Sequence, residues 1–232
     1  MFGIPSNMLP LAVMGTVALF FGLRGLYRYN KTKSPLTLYY SLSGILFGLS
    51  GLFYAIPFAI TASEIILKST VTIADILFYC GIMLQMRIIW YLGLKKRISF
   101  MWLFWPTFLI SLISLAFDMN SRMNNRYYVE NSIAIFPTNQ VTLYLLALLS
   151  ISIILVGLLT LMQIKNLKTT QQKIRLATLG LYFLFAGITV EYNFLFLGGN
   201  NTSSTIVIGY AVAALGFFVG LLFVTNKRSY IK

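Results

Sequence analysis

Apolar residues in this chain run on without the alternation of a half-buried strand or the one-sided spacing of a soluble helix. Seven stretches of about 20 residues or more, each long enough to cross a bilayer as a helix, fall at 8–27, 36–60, 71–94, 98–117, 142–164, 174–197 and 205–225. Short polar loops separate them. A lipid-facing barrel strand would alternate over about ten residues, whereas a helix satisfies every backbone group within its own span. The pattern therefore predicts an all-α integral membrane protein, a seven-transmembrane-helix bundle forming one domain over residues 1–232. Ser34-Pro35 and Asn139-Gln140 supply helix-starting chemistry before the second and fifth stretches.

Charge orients this pattern. Except for Lys68, Arg87, Arg122 and Arg126, all of the 18 Lys and Arg residues lie around the loops after the first, third and fifth stretches or in the C-terminal tail. Glu64, Asp75, Asp118, Glu130 and Glu191 lie on or toward the opposite side. Loops rich in Lys and Arg stay in the cytoplasm during insertion. The expectation is an N-terminus outside, a C-terminus inside and a multi-pass protein of the plasma (inner) membrane. The N-terminal run has no basic n-region and no A-x-A site, so it is expected to stay as the first span.

Composition narrows the function. With 58% hydrophobic and 10% charged residues, a separate soluble domain is not expected. A net charge of +13 would point to nucleic acid in a soluble protein. Here the charge is divided among four short segments that need it for orientation, so no nucleic acid is expected. The partners implied are the lipid bilayer, anionic inner-leaflet lipids attracted at about 1 kcal/mol per juxtamembrane Lys or Arg, and a membrane or cytoplasmic protein. There is no histidine, which removes bis-imidazole haem, histidine-bound zinc or copper, and the Ser-His-Asp triad. The one cysteine, Cys80, is expected to pack inside the third span. The last stretch has no lysine to form a retinal Schiff base. Neither a metal nor a cofactor is expected, and no nucleophile, base and orienting group can be assembled, so the chain reads as non-enzymatic.

Ionisable groups inside a span are costly and mark candidate sites. Asp75 is placed about one turn below the outer end of the third span, with Tyr79 one turn deeper on the same face. Glu191, with Tyr192 and Asn193, is placed one to two turns below the outer end of the sixth. These five residues can line one outward-facing ligand or cation pocket; the alternative is acids near the interface that are protonated or bonded to neighbouring helices. In the inner half, Gln85 and Arg87 can form a polar cluster beside Trp90, or Arg87 can snorkel about 12 Å toward Lys95. Glu64 and Lys68 have ion-pair spacing at the outer boundary. Small residues recur at three and four in the second stretch, at Ser41, Gly44, Gly48 and Gly51, and in the seventh, at Gly209, Ala213, Gly216 and Gly220, where helices can approach closely. The connector Asp118–Val141 is long enough to act as a lid over the outer mouth.

The uncharged outer N-terminus, the first basic loop closing in Lys33-Ser34-Pro35, the small and aromatic residues of the second span, and a third span ending in IIWYLGLKKR occur together. In these features the chain resembles the seven-helix N-terminal membrane sensor region of bacterial histidine kinases. The resemblance implies an outward ligand-sensing bundle whose seventh helix passes a signal inward. The chain is also similar in length and orientation to small sugar transporters with a three-one-three helix arrangement, without their proline tetrad. The expected function is a non-enzymatic sensor or receptor-like module that binds an outer-side ligand and signals to a cytoplasmic partner. The alternatives are a small solute transporter or an accessory subunit of a larger membrane complex.

Overall fold

The computed structural model describes residues 8–61, 63–125, 128–130, 133–135 and 139–196; only the backbone is described at 128–130, 133–135, 171 and 189–196. The described chain is helical apart from one short hairpin. Helix α1 spans Leu9–Thr32, α2 Pro35–Ile60, α3 Glu64–Ile89 with a π-helical turn at Trp90–Leu94, and α4 Met101–Asn124. Strands β1 (Tyr128–Glu130) and β2 (Ile133–Ile135) pair antiparallel, with Val129 opposite Ala134. Helix α5 spans Gln140–Met162 with a 3₁₀ turn at Gln163–Asn166, and α6 spans Thr170–Phe196. Five helices, α1 to α5 with their terminal turns, are long and apolar enough to cross a membrane. The seventh predicted stretch lies outside the described residues.

The connections follow their sequence. Lys33 adopts a left-handed conformation (φ 52°) and its N–H closes α1 on the Tyr29 carbonyl at 2.7 Å. Pro35 then opens α2, where an N–H would have no partner anyway. Asn139 caps α5 by accepting from the Val141 N–H at 2.8 Å.

Helix ends lie beyond the apolar runs. Helix α3 begins at Glu64 rather than 71, and α4 continues to Asn124 rather than 117. An apolar run stops at its first charge, but backbone hydrogen bonding does not. The connector is correspondingly shorter: Asp118–Asn124 belongs to α4.

Successive helices run antiparallel. Helix α3 is central, touching α2, α4 and α5, while α6 packs on α5 and sets Tyr182 and Ala186 against Met14 and Phe21 of α1. The α1–α2, α3–α4 and α5–α6 connections share one end, here the basic end, with Lys33, Lys95 and Lys168. The α2–α3 and α4–α5 connections share the other, the acidic end, with Glu64.

The bundle turns many large apolar side chains outward and buries polar ones among its apolar core clusters. Phe20, Trp102, Leu109, Leu112 and Leu148 are exposed, while Ser43, Asp75, Gln85, Ser114, Arg122 and Ser150 are buried. This reverses the usual arrangement in water and suits a hydrocarbon solvent, in which polar residues hold helices together.

Candidate functional site

Helix α4 carries Thr107, Ser111, Ser114, Asp118 and Arg122 at intervals of three and four, so all five share one face, and all are buried. That face meets α3. At its acidic end, Arg122 Nη2 donates to Oδ2 of both Asp75 and Asp118, and Nη1 donates to Thr72 Oγ1 at 2.7 Å. The Tyr54 hydroxyl of α2 donates to Asp75 Oδ1. The three charged side chains retain only 5–6% of their surface accessibility. Three helices thus converge on one charged cluster, and the Asp118–Arg122 arm is fixed by spacing along a single helix. Asp75 is eleven residues from the start of α3, roughly 16 Å along the axis.

Among the described residues, the cluster holds two carboxylates and one guanidinium. Asp75 accepts from Tyr54 and Arg122, whereas Asp118 accepts from Arg122 alone among the described residues. The second oxygen of Asp118 has no hydrogen-bond partner among the described residues and is not fully sealed. Lys68 does not complete the balance, because it pairs with Glu64 at 2.8 Å in a more exposed position.

Polar groups continue from this cluster toward the basic end. One turn beyond Asp75, the Tyr79 hydroxyl donates to Ser114 Oγ at 2.8 Å. Further along, Ser152 of α5 donates to Gln85 Oε1 at 3.2 Å. Gln85 Nε2 and Ser43 Oγ are sealed without a hydrogen-bond partner among the described residues. They lie at one depth: Phe47 meets Gly81, and one turn from each on antiparallel helices gives Ser43 and Gln85. Near the basic end, the Tyr40 hydroxyl and Thr160 Oγ1 share a hydrogen bond.

Of the residues expected to form an outer pocket, Asp75 and Tyr79 do share a face, Asp75 bonding to α2 and α4 and Tyr79 to α4. Glu191, Tyr192 and Asn193 occupy the last two turns of α6; their side chains lie outside those described, as does any pocket they share with Asp75. Gln85 and Arg87 do not form one cluster. Residues two positions apart on a helix are about 200° apart around its axis, so Gln85 meets α5 while Arg87 lies against Tyr39, Trp90 and Phe100. Cys80 is exposed rather than packed inside, on the opposite side of α3 from Asp75, Tyr79 and Ile82. Among the described residues, no three His, Cys, Asp or Glu side chains gather as metal ligands.

Sequence reasoning missed Tyr54, Asp118 and Arg122 as site residues. The periodic polar face of α4 was the readable sign of the last two; Tyr54 had none. Searches of protein-family models, characterised proteins and solved structures find no match to this chain.

Proposed function

We propose that this chain is a seven-span sensor or receptor-like membrane module, N-terminus outside and C-terminus inside, that binds a singly charged cationic ligand at Asp75 and Asp118. The supporting observation is that, among the described residues, two carboxylates face the one guanidinium of Arg122. An isolated charge buried in an apolar bundle is costly, and a cation at the Asp118 oxygen that has no partner among the described residues offsets it. The ligand class is a monovalent metal ion or the ammonium group of an organic amine. Arg122 holds both acids in place, and Tyr54 fixes the second oxygen of Asp75. Binding draws α3 and α4 together, and α3 carries the change to the Lys95-Lys96-Arg97 turn, where a cytoplasmic partner reads it.

The test is thermal unfolding of the purified protein in neutral lipid nanodiscs, titrated with sodium, potassium or an alkylammonium salt at constant ionic strength. Wild type is expected to be stabilised by at least one of these cations. Asp118→Asn leaves one carboxylate against one guanidinium, so it should fold and lose that response. Equal cation responses in both proteins, or none in wild type, would refute the proposal.

Transport is a second reading, favoured by the polar groups that continue past Asp75 through Tyr79–Ser114 and Gln85–Ser152 to Tyr40–Thr160. Cation flux into proteoliposomes without any partner protein would select it.

A further inference from the structure

Arg87 is charged, lies within a span-length helix and has no acidic partner among the described residues. All five acidic residues of the chain are toward the other end: Glu64 at the start of α3, Asp75 and Asp118 in the cluster, Glu130 in β1 and Glu191 in the last turns of α6. Arg87 is twelve residues beyond Asp75, roughly 18 Å of helix rise. Its one hydrogen bond among the described residues is from Nε to the Tyr39 hydroxyl at 3.4 Å, long for such a contact. Arg87 is only half-buried and neither Nη group is among the sealed polar atoms, so the guanidinium is open to a group from outside the chain.

Aromatic rings surround the guanidinium. The guanidinium carbon lies 4.4 Å from the ring centroid of Phe100, 4.6 Å from Trp90 and 5.7 Å from Tyr39. Trp90 Nε1 donates to the Ile98 carbonyl at 2.7 Å, tying the turn that bears Lys95, Lys96 and Arg97 back onto α3. Aromatic faces orient a cation but do not neutralise it. An arginine in a span-length helix with no acid beside it among the described residues calls for an anion from outside the chain.

We infer that Arg87 is the protein half of a binding site for the phosphate of an anionic phospholipid in the leaflet at the basic end. The planar fork of a guanidinium matches two phosphate oxygens, and its flexible stem can reach toward headgroup depth. Tyr39, Trp90 and Phe100 hold the fork in place. The cationic turn beside it favours headgroups of net negative charge over zwitterionic ones. The site is independent of whatever occupies the acidic end.

Native mass spectrometry of the protein with mixed phosphatidylglycerol and phosphatidylcholine measures retained lipid directly. Wild type is expected to retain phosphatidylglycerol preferentially, and Arg87→Gln to retain it about tenfold less, the loss of a charge-assisted pair. Lys68→Gln, a charge change at the other end, should leave retention unchanged. Equal retention by Arg87→Gln and wild type would overturn the site. So would wild type showing no preference for phosphatidylglycerol, a test independent of any variant's folding. Stabilisation of wild type in phosphatidylcholine nanodiscs by inorganic phosphate alone, to the extent given by phosphatidylglycerol, would make this a free-anion site and overturn the lipid assignment.

Discussion

Arg122 serves two carboxylates on two helices, so its removal is not equivalent to losing one contact. Without it, Asp75 and Asp118 would remain buried beside each other with no cation, and breaking a buried ion pair from one side costs about 3–5 kcal/mol. Arg122→Met should therefore destabilise the bundle by about that amount in mixed-micelle unfolding. Adding Asp75→Asn and Asp118→Asn should restore most of it, because the uncharged triple variant no longer buries charge. Failure of the triple variant to recover would mean that Arg122 acts through packing rather than charge. Asp75 was legible in the sequence because a lone acid stands out within an apolar run. Asp118 and Arg122 were not, because the hydropathy pattern stops at Asp118 and assigns the residues beyond it to a loop. Their spacing of four, continuing the polar series Thr107, Ser111 and Ser114, was the sign that the helix went on.

Helix pairs depend on a different property, the absence of side chains. A Cβ at Gly48 would lie 2.5 Å from the Leu19 amide nitrogen and 2.7 Å from its Cα, and one at Gly157 would lie 2.7 Å from the Leu184 nitrogen. Neither backbone can yield without separating the helices. At Gly93 the nearest atom is a flexible Leu159 methyl carbon at 3.6 Å. Gly48→Ala should thus cost about 1–3 kcal/mol, the usual range for overpacking, while Gly93→Ala should stay within about 0.5 kcal/mol of wild type. Unfolding of the two variants side by side checks the contrast, and equal effects would contradict the packing described for α1 and α2. The small-residue series on α2 was readable in the sequence. Its partner was not: spacing marks a face for close approach without naming the helix that fills it, here α1 with Gly15 and Gly22.

At the scale of the molecule, the ends differ in charge and in how that charge is held. At the acidic end, charge is internal, in the Asp75–Arg122–Asp118 cluster, and the one described lysine there is paired with Glu64. At the basic end, the Lys95-Lys96-Arg97 turn is exposed and has no acidic residue near it in sequence. Loose cations of this kind hold a loop in the cytoplasm during insertion, so the basic end should face inward and the charged cluster should open outward. In a Cys80→Ala background, Lys68→Cys should react with a membrane-impermeant maleimide applied to intact cells, and Lys96→Cys only after permeabilisation. The reverse pattern would move the cation site to the cytoplasmic face and the Arg87 phosphate site to the outer leaflet. A cytoplasmic partner would then meet the mouth of the charged cluster directly, leaving α3 no signal to carry across the membrane.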